Sequence, residues 1–170
     1  LEGILLEPKE TSRLSEAEIA QPACTAVQIA IFELLDDWSI APSITVNHSS
    51  REIGAAYGAG LISAPEAIIA AFYRGLAVKQ VAPVGFMLAV GLGVEKVSTF
   101  LPHFGEDVVV SCKDSPNSVT LSGTVTGVQV VKEKLETEKL FTAKLCTGKA
   151  YHSDHMNAVA PLYEELLTNA

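Results

Sequence analysis

The pattern of apolar and polar positions changes near residue 83 and divides the chain. Residues 1–20 are mixed and acidic, with helix-like pieces. Gln21-Pro22 then opens a long helical pattern in which Val27, Ile31, Leu34, Leu35 and Trp38 recur on one face. Proline suits a first helical turn, where its missing N–H leaves no bond unmade. Ser43-Ile44-Thr45-Val46 is short and β-branched and predicts a buried strand. It runs straight into Asn47-His48-Ser49-Ser50-Arg51. Residues 52–62 (EIGAAYGAGLI) predict a helix whose small residues let it lie close to a sheet. Ser63 and Glu66 form a capping box, so a further helix starts there and carries Arg74.

After residue 83 the pattern changes. Residues 84–92 read as a strand and 93–104 as a helix. Strands follow at 108–112 and 118–123, separated by the turn residues DSPN. VQVVKEKLETEKL is an amphipathic helix with its charges on the wet face, and 141–147 is a last strand. The order β-α-β-β-α-β is that of a ferredoxin-like unit.

Composition narrows the function classes. The 170 residues are 48% hydrophobic and 19% charged, enough to bury a core. Net charge is −8, and neither half is basic: five Lys/Arg stand against ten Asp/Glu in residues 1–85, and seven against ten in 86–170. Nucleic acid and anionic membrane surfaces are therefore not expected partners. No apolar run of membrane-spanning length occurs, and no signal peptide opens the chain. Cys24, Cys112 and Cys146 are odd in number and far apart, which favours a reducing compartment, the cytoplasm. Their apolar surroundings predict buried, inert thiols. The first residue is not Met, and the chain reads as an incomplete stretch of a longer polypeptide.

The candidate chemistry centres on Ser49. A strand, a sharp turn bearing Ser and a small-residue helix make a nucleophile elbow. Such a turn aims a helix N-terminus, and the backbone N–H of Ser50, at a developing oxyanion. Serine needs a base within hydrogen-bond reach. His48 is adjacent, but neighbours on a tight turn point apart, so it reads as a pocket wall or packing residue. His103 reads as ordinary surface. His152, in AYHSDHM, is on the residues alone either a base or a plain loop residue. The HSDH cluster has neither Cys nor a helical His pair, so no metal site is expected.

QPACTAVQ, NHSSREIGAAYGAG, FYRGLAV, VGFMLAVGL, DSPNSVTLSG and AYHSDHM occur in that order. With these six motifs the chain resembles the acyltransferase (malonyl-CoA:acyl carrier protein transacylase) domain of iterative polyketide synthases, closest to the reducing fungal kind. The resemblance implies an α/β fold: a partial α/β-hydrolase-like core over 1–82 and 148–170, with an inserted ferredoxin-like subdomain over 83–147. It implies Ser49 as nucleophile, His152 as general base and acid, and the Ser50 N–H as an oxyanion donor. It implies Arg74 as the clamp on the malonyl carboxylate, with Gln21, His48, Met87 and Tyr151 on the substrate side. Leu88 lies in the same pocket-lining stretch, and a bulky Tyr151 favours malonyl over branched units. A planar guanidinium suits a carboxylate and would be left unpaired by a plain acyl group. No bound cofactor is implied. Malonyl-CoA is the implied donor and the phosphopantetheine thiol of an acyl carrier protein the acceptor, with neighbouring synthase domains such as a ketosynthase.

Three departures qualify the resemblance. The family's Gly-His-Ser-x-Gly has Asn47 and Arg51 in place of its glycines. Overpacking at Arg51 is expected to cost roughly 1–3 kcal/mol unless the side chain swings out. Asp114 replaces an asparagine and would add negative charge near an anionic substrate. The opening strand and its glutamine loop, source of the other oxyanion donor, are absent from these residues. A serine hydrolase and a non-catalytic module decayed from this family remain the alternative readings.

Overall fold

The computed structural model describes residues 2–8, 10–101 and 107–170. His103, and with it the end of the helix expected over 93–104, lies outside the described residues. The elements are α1 (Glu2–Leu5), α2 (Ala17–Asp37), a 3-10 turn (Ser49–Arg51), α3 (Glu52–Gly58), α4 (Ala64–Val81), β1 (Phe86–Val90), α5 (Val94–Ser98), β2 (Val108–Ser115), β3 (Ser118–Gly123), α6 (Val125–Thr137), β4 (Thr142–Leu145), a 3-10 turn (Asp154–Met156) and α7 (Val159–Thr168). They fall into two compact units: a helical unit, Leu1–Gln80 with Ala160–Ala170, and a sheet unit, Val81–Val159. No helix among the described residues is long and apolar enough to cross a membrane.

In the helical unit, α2 begins at Ala17, one turn before the expected start at Gln21. The carbonyl of Glu16 accepts from the N–H groups of Ile19 (3.0 Å) and Ala20 (2.7 Å), which opens the helix early. Pro22 therefore sits inside α2 and removes one internal donor. The start of α2 lies close against α4. At Gly75 a Cβ would stand 2.3 Å from the Ala17 carbonyl oxygen, so only glycine allows this approach. Lys79, one turn on, bonds both Glu16 (3.0 Å) and Glu18.

Arg13 and Lys79 hold the Glu16 carboxyl down to about 2, below its ordinary 4.5. A carboxylate depressed by folding stabilises the folded state above its unfolded pKa and loses that contribution as it is protonated. Acid unfolding is therefore expected to draw on Glu16 between about pH 4.5 and pH 2. Denaturant midpoints measured through that window should fall less in Glu16→Gln than in the parent. Parallel curves would assign the acid lability elsewhere.

Three expectations are corrected, two in this unit and one on the cysteines of both units. Residues 43–46 form no strand: no described strand pairs with them, and Ile44 and Val46 are 81% and 84% exposed. β-branched residues stiffen an extended chain, but a strand also needs a ladder partner. The small residues of α3 face a helix rather than a sheet, with Gly54 against Gln28 and Gly58 against the Phe32 ring of α2. Cys24 and Cys146 are exposed and Cys112 only half-buried, so the thiols are not the buried set expected. Cys24 lies on an outward side of α2, and Cys146 follows the end of β4. Burial pushes the Cys112 thiol up. The capping box is as read: the Glu66 carboxylate accepts from the Ser63 N–H (2.7 Å), and Ser63 Oγ accepts from the Glu66 N–H (3.4 Å).

Among the described residues the sheet unit holds four strands in the order β2-β3-β1-β4, with every neighbouring pair antiparallel. Period-2 alternation sends Leu88, Val90, Val119 and Leu121 to one face, where they pack with Val128, Val131 and Leu135 of α6. Thr124 caps α6 by accepting from the Gly127 N–H (3.0 Å). Met87 points to the other face, opposite Ser122 on β3 and Leu145 on β4.

Candidate active site

The serine turn is built from an extended segment fed into a helix. Thr45 Oγ1 donates to the Ala55 carbonyl (3.0 Å), tying residues 43–46 to α3. His48 is extended, with φ −130° and ψ 132°. The next residue, Ser49, has φ +61°, and the 3-10 turn that starts there runs without a break into α3. The chain thus reverses from extended to helical at one left-handed serine. For an L-residue this conformation costs roughly 1–2 kcal/mol. Ser49 and Ser50 are half-buried and His48 is exposed. The Ser50 N–H stands in a first helical turn, where backbone donors find no acceptor within the helix. The Arg51 side chain is exposed, so the overpacking expected at this position is not incurred.

Arg74 lies half-buried on α4, and its Nη1 donates to Gln21 Oε1 (2.7 Å). The contact follows from Gly75. By letting α2 approach at Ala17, it brings Gln21, one turn on, to the guanidinium. Tyr163 of α7 donates to the Ala70 carbonyl (3.2 Å), one turn before Arg74. Burial pushes the Tyr163 phenol up, and the Arg74 cation pulls it partly back. Sequence reasoning missed Tyr163, because no motif marks the docking of α7 on α4.

In the sheet unit, His152 is exposed and also left-handed, at φ +58°. It follows buried Ala150 and half-buried Tyr151. Two further non-glycine residues among those described have positive φ: Ser39 and Lys139. Both are explained by helix ends. Ser39 and Ile40 bond back to Asp36 and Leu35, and Lys139 and Leu140 bond back to Glu136 and Leu135. That is the Schellman pattern, which places an αL residue just past a helix. Ser49 and His152 end no helix.

The structure thus brings Gln21 to Arg74 and keeps Ser49, Ser50 and His48 on one turn of the helical unit, while Met87, Tyr151 and His152 belong to the sheet unit. Leu88 is corrected: it is fully buried in the core against α6, on the sheet face opposite to Met87, so the two cannot line one pocket. Asp114 is exposed on the β2–β3 hairpin, where it accepts from Thr120 Oγ1 (2.8 Å).

The acyl transferase domain family matches residues 2–170, and the chain belongs to that family. It is 50% identical to the reducing polyketide synthase DEP5 of Fusarium langsethiae, over 98% of this chain and 7% of that protein. It is 44% identical to the highly reducing polyketide synthase virA of Hypocrea virens, over 99% of this chain and 7% of that protein. The chain thus spans about 7% of the length of these curated relatives. Among solved structures, it is similar to the acyltransferase domain from the second module of the salinomycin polyketide synthase. That match has 27% identity and a TM-score of 0.83, and covers 95% of this chain and 38% of that one. The α/β fold also matches a loading acyltransferase of the avermectin synthase, with a TM-score of 0.90 at 22% identity over 98% of this chain and 54% of that one.

Proposed function

We propose that the chain is the acyltransferase stretch of a fungal-type reducing polyketide synthase. It loads malonyl from malonyl-CoA onto the phosphopantetheine thiol of an acyl carrier protein. The observation that carries this reading is the pair of left-handed residues, Ser49 and His152, that no helix end accounts for. Strain at isolated polar residues concentrates where chemistry fixes a side chain.

In this reading His152 takes the hydroxyl proton of Ser49 as its oxygen attacks the malonyl thioester carbon. The tetrahedral oxyanion is held by the Ser50 N–H at the start of the turn. Collapse breaks the C–S bond, and the proton passes from His152 to the leaving CoA thiolate. The pantetheine thiol then gives its proton to His152 and attacks the Ser49 ester. The ester bond breaks, and Ser49 recovers a proton from His152. Arg74, oriented by Gln21, clamps the malonyl carboxylate. His48, Met87 and Tyr151 line the acyl side, and the bulk of Tyr151 favours malonyl over branched units.

The finer fold belongs to the same proposal: a partial α/β-hydrolase-like core over 1–82 and 148–170 and a ferredoxin-like subdomain over 83–147. The β-α-β-β-α-β order and antiparallel arrangement support the second part. Neighbouring synthase domains such as a ketosynthase, and a cytoplasmic setting in keeping with three free cysteines, complete the reading.

Incubating the intact polypeptide that carries these residues with malonyl-CoA should give a covalent malonyl adduct by intact mass. The adduct should discharge onto added carrier protein. Discharge to free malonate at the same rate without carrier would favour a hydrolase. A folded protein that never gains the adduct would favour a decayed module.

A further inference from the structure

Glycine at 75 makes room for α2 but supplies no attraction. A Cβ there would stand 2.6 Å from the Glu18 Cα as well as 2.3 Å from the Ala17 carbonyl oxygen, so the first turn of α2 lies directly on α4. Ala67, Ala71 and Gly75 recur every four residues on α4, share one face and are buried. A seam of side chains this small lets the backbones come close but offers no knob to stop one helix sliding along the other. A polar group at such a contact is what fixes register.

Glu18 is the polar side chain at this contact. It lies in the first turn of α2, yet it is only 9% exposed. Carboxylates are almost never buried to this degree unless paired. Lys79 of α4 is the partner: its Nζ donates to Glu18 Oε1, and to Glu16 Oε2 (3.0 Å) just ahead of the helix. Glu18 Oε2 accepts no hydrogen bond among the described residues. Lys79 keeps half of its side chain in water. The pair therefore costs desolvation mainly at Glu18. It contributes little to stability on that account, but it joins α2 to α4 at one register. Gln21 stands one turn beyond Glu18 on α2, and its Oε1 accepts from Arg74 Nη1 (2.7 Å). The ion pair, the glycine contact and the amide–guanidinium bond thus follow one another along one antiparallel seam. A slip at the Lys79 end displaces Gln21 at the other and turns the plane of the guanidinium.

We propose that Glu18 is a positioning residue for donor selection: its carboxylate, buried beside Gly75 and held by Lys79, sets the register of α2 on α4 that presents Gln21 to the Arg74 guanidinium. The proposal rests on the reading of Arg74 as the carboxylate clamp. Glu18 acts through Gln21, so its loss should lower the preference for malonyl-CoA over acetyl-CoA, and by no more than the loss of Gln21 does. Gln21 and Arg74 each have further interactions, so the effect is graded: about threefold on the malonyl-over-acetyl ratio.

The experiment measures that ratio in the intact polypeptide, with malonyl-CoA and acetyl-CoA competing and the adducts read by mass. It compares the parent with Glu18→Gln, Lys79→Met, Gln21→Ala, Arg74→Ala and the double variant Glu18→Gln/Gln21→Ala. Glu18→Gln keeps the shape and removes the charge; its ratio should fall about threefold with acetyl loading near the parent's. Lys79→Met, at a half-exposed side chain, should lower the ratio by a similar factor. In the double variant the ratio should fall no further than in Gln21→Ala, because one route carries both effects. A parent-like ratio in Glu18→Gln or Lys79→Met, beside an inverted ratio in Arg74→Ala, would overturn the proposal alone. So would losses that multiply in the double variant, or equal losses of both donors that track the melting temperature. A parent-like ratio in Arg74→Ala would instead overturn the clamp reading, and the proposal with it.

Discussion

Replacing Ser49 with alanine is expected to abolish the malonyl adduct and to slow transfer to the carrier protein by about 10⁴-fold or more. Alanine keeps the backbone but removes the oxygen that carries the acyl group in the proposed mechanism, so that route through the ester is lost. His152→Ala should cost a similar factor. The double variant should be no worse than either single one, because nucleophile and base act as a unit. Losses that multiplied would mean that the two residues act in separate steps. A companion variant separates chemistry from backbone strain. Ser49→Gly should be as inactive as alanine, yet more stable to heat, by up to about 1 kcal/mol. The reason is that Ser49 sits at φ +61°, where glycine is at ease and other residues are strained. A glycine variant less stable than the alanine one would show that the turn is not strained at this residue.

Legibility followed the physics of each segment. The sheet unit could be read from its apolar and β-branched runs bounded by turn residues, which mark strands without saying which face each side chain takes. Leu88 and Val90 face α6, while Met87 faces away. The Ser63–Glu66 box could be read because both partners lie within one turn. What could not be read depended on distant partners. Residues 43–46 have the composition of a strand, but composition does not say whether a ladder partner is present. Pro22 reads as a helix start, yet the helix begins a turn earlier, where the Glu16 carbonyl accepts from Ile19 and Ala20 and Ala17 meets Gly75. The serine and histidine motifs were visible as residue types. Their shared left-handed backbone was not, since neither is glycine or asparagine, the residues that usually mark that conformation. Arg51 shows the opposite case: a local rule predicted a clash that the turn avoids by pointing the side chain outward.

Replacing Arg74 with alanine is expected to invert donor preference rather than merely weaken the enzyme. In the proposed pose the guanidinium meets a carboxylate that acetyl-CoA does not have. Charge-assisted hydrogen bonds to a buried ionic group are the strong ones, and losing a bidentate pair should lower kcat/KM for malonyl-CoA by about 10²-fold. Acetyl-CoA should load as well as before or better, because alanine leaves no unpaired cation beside a plain methyl group. Arg74→Lys should not restore malonyl loading fully, since an ammonium offers one point charge where the carboxylate meets a fork. Gln21→Ala should fall between, at about threefold to tenfold. Gln21 holds Nη1 at 2.7 Å and so fixes the plane of the fork without supplying its charge. Competition between malonyl-CoA and acetyl-CoA in one reaction, read by the masses of the two adducts on Ser49, measures all three variants on the same scale. If the two donors fall by the same factor in Arg74→Ala, Arg74 supports the fold through α2 and α4 and does not select the substrate. If only malonyl falls, the helix approach that Gly75 permits is what places a carboxylate receptor in this chain.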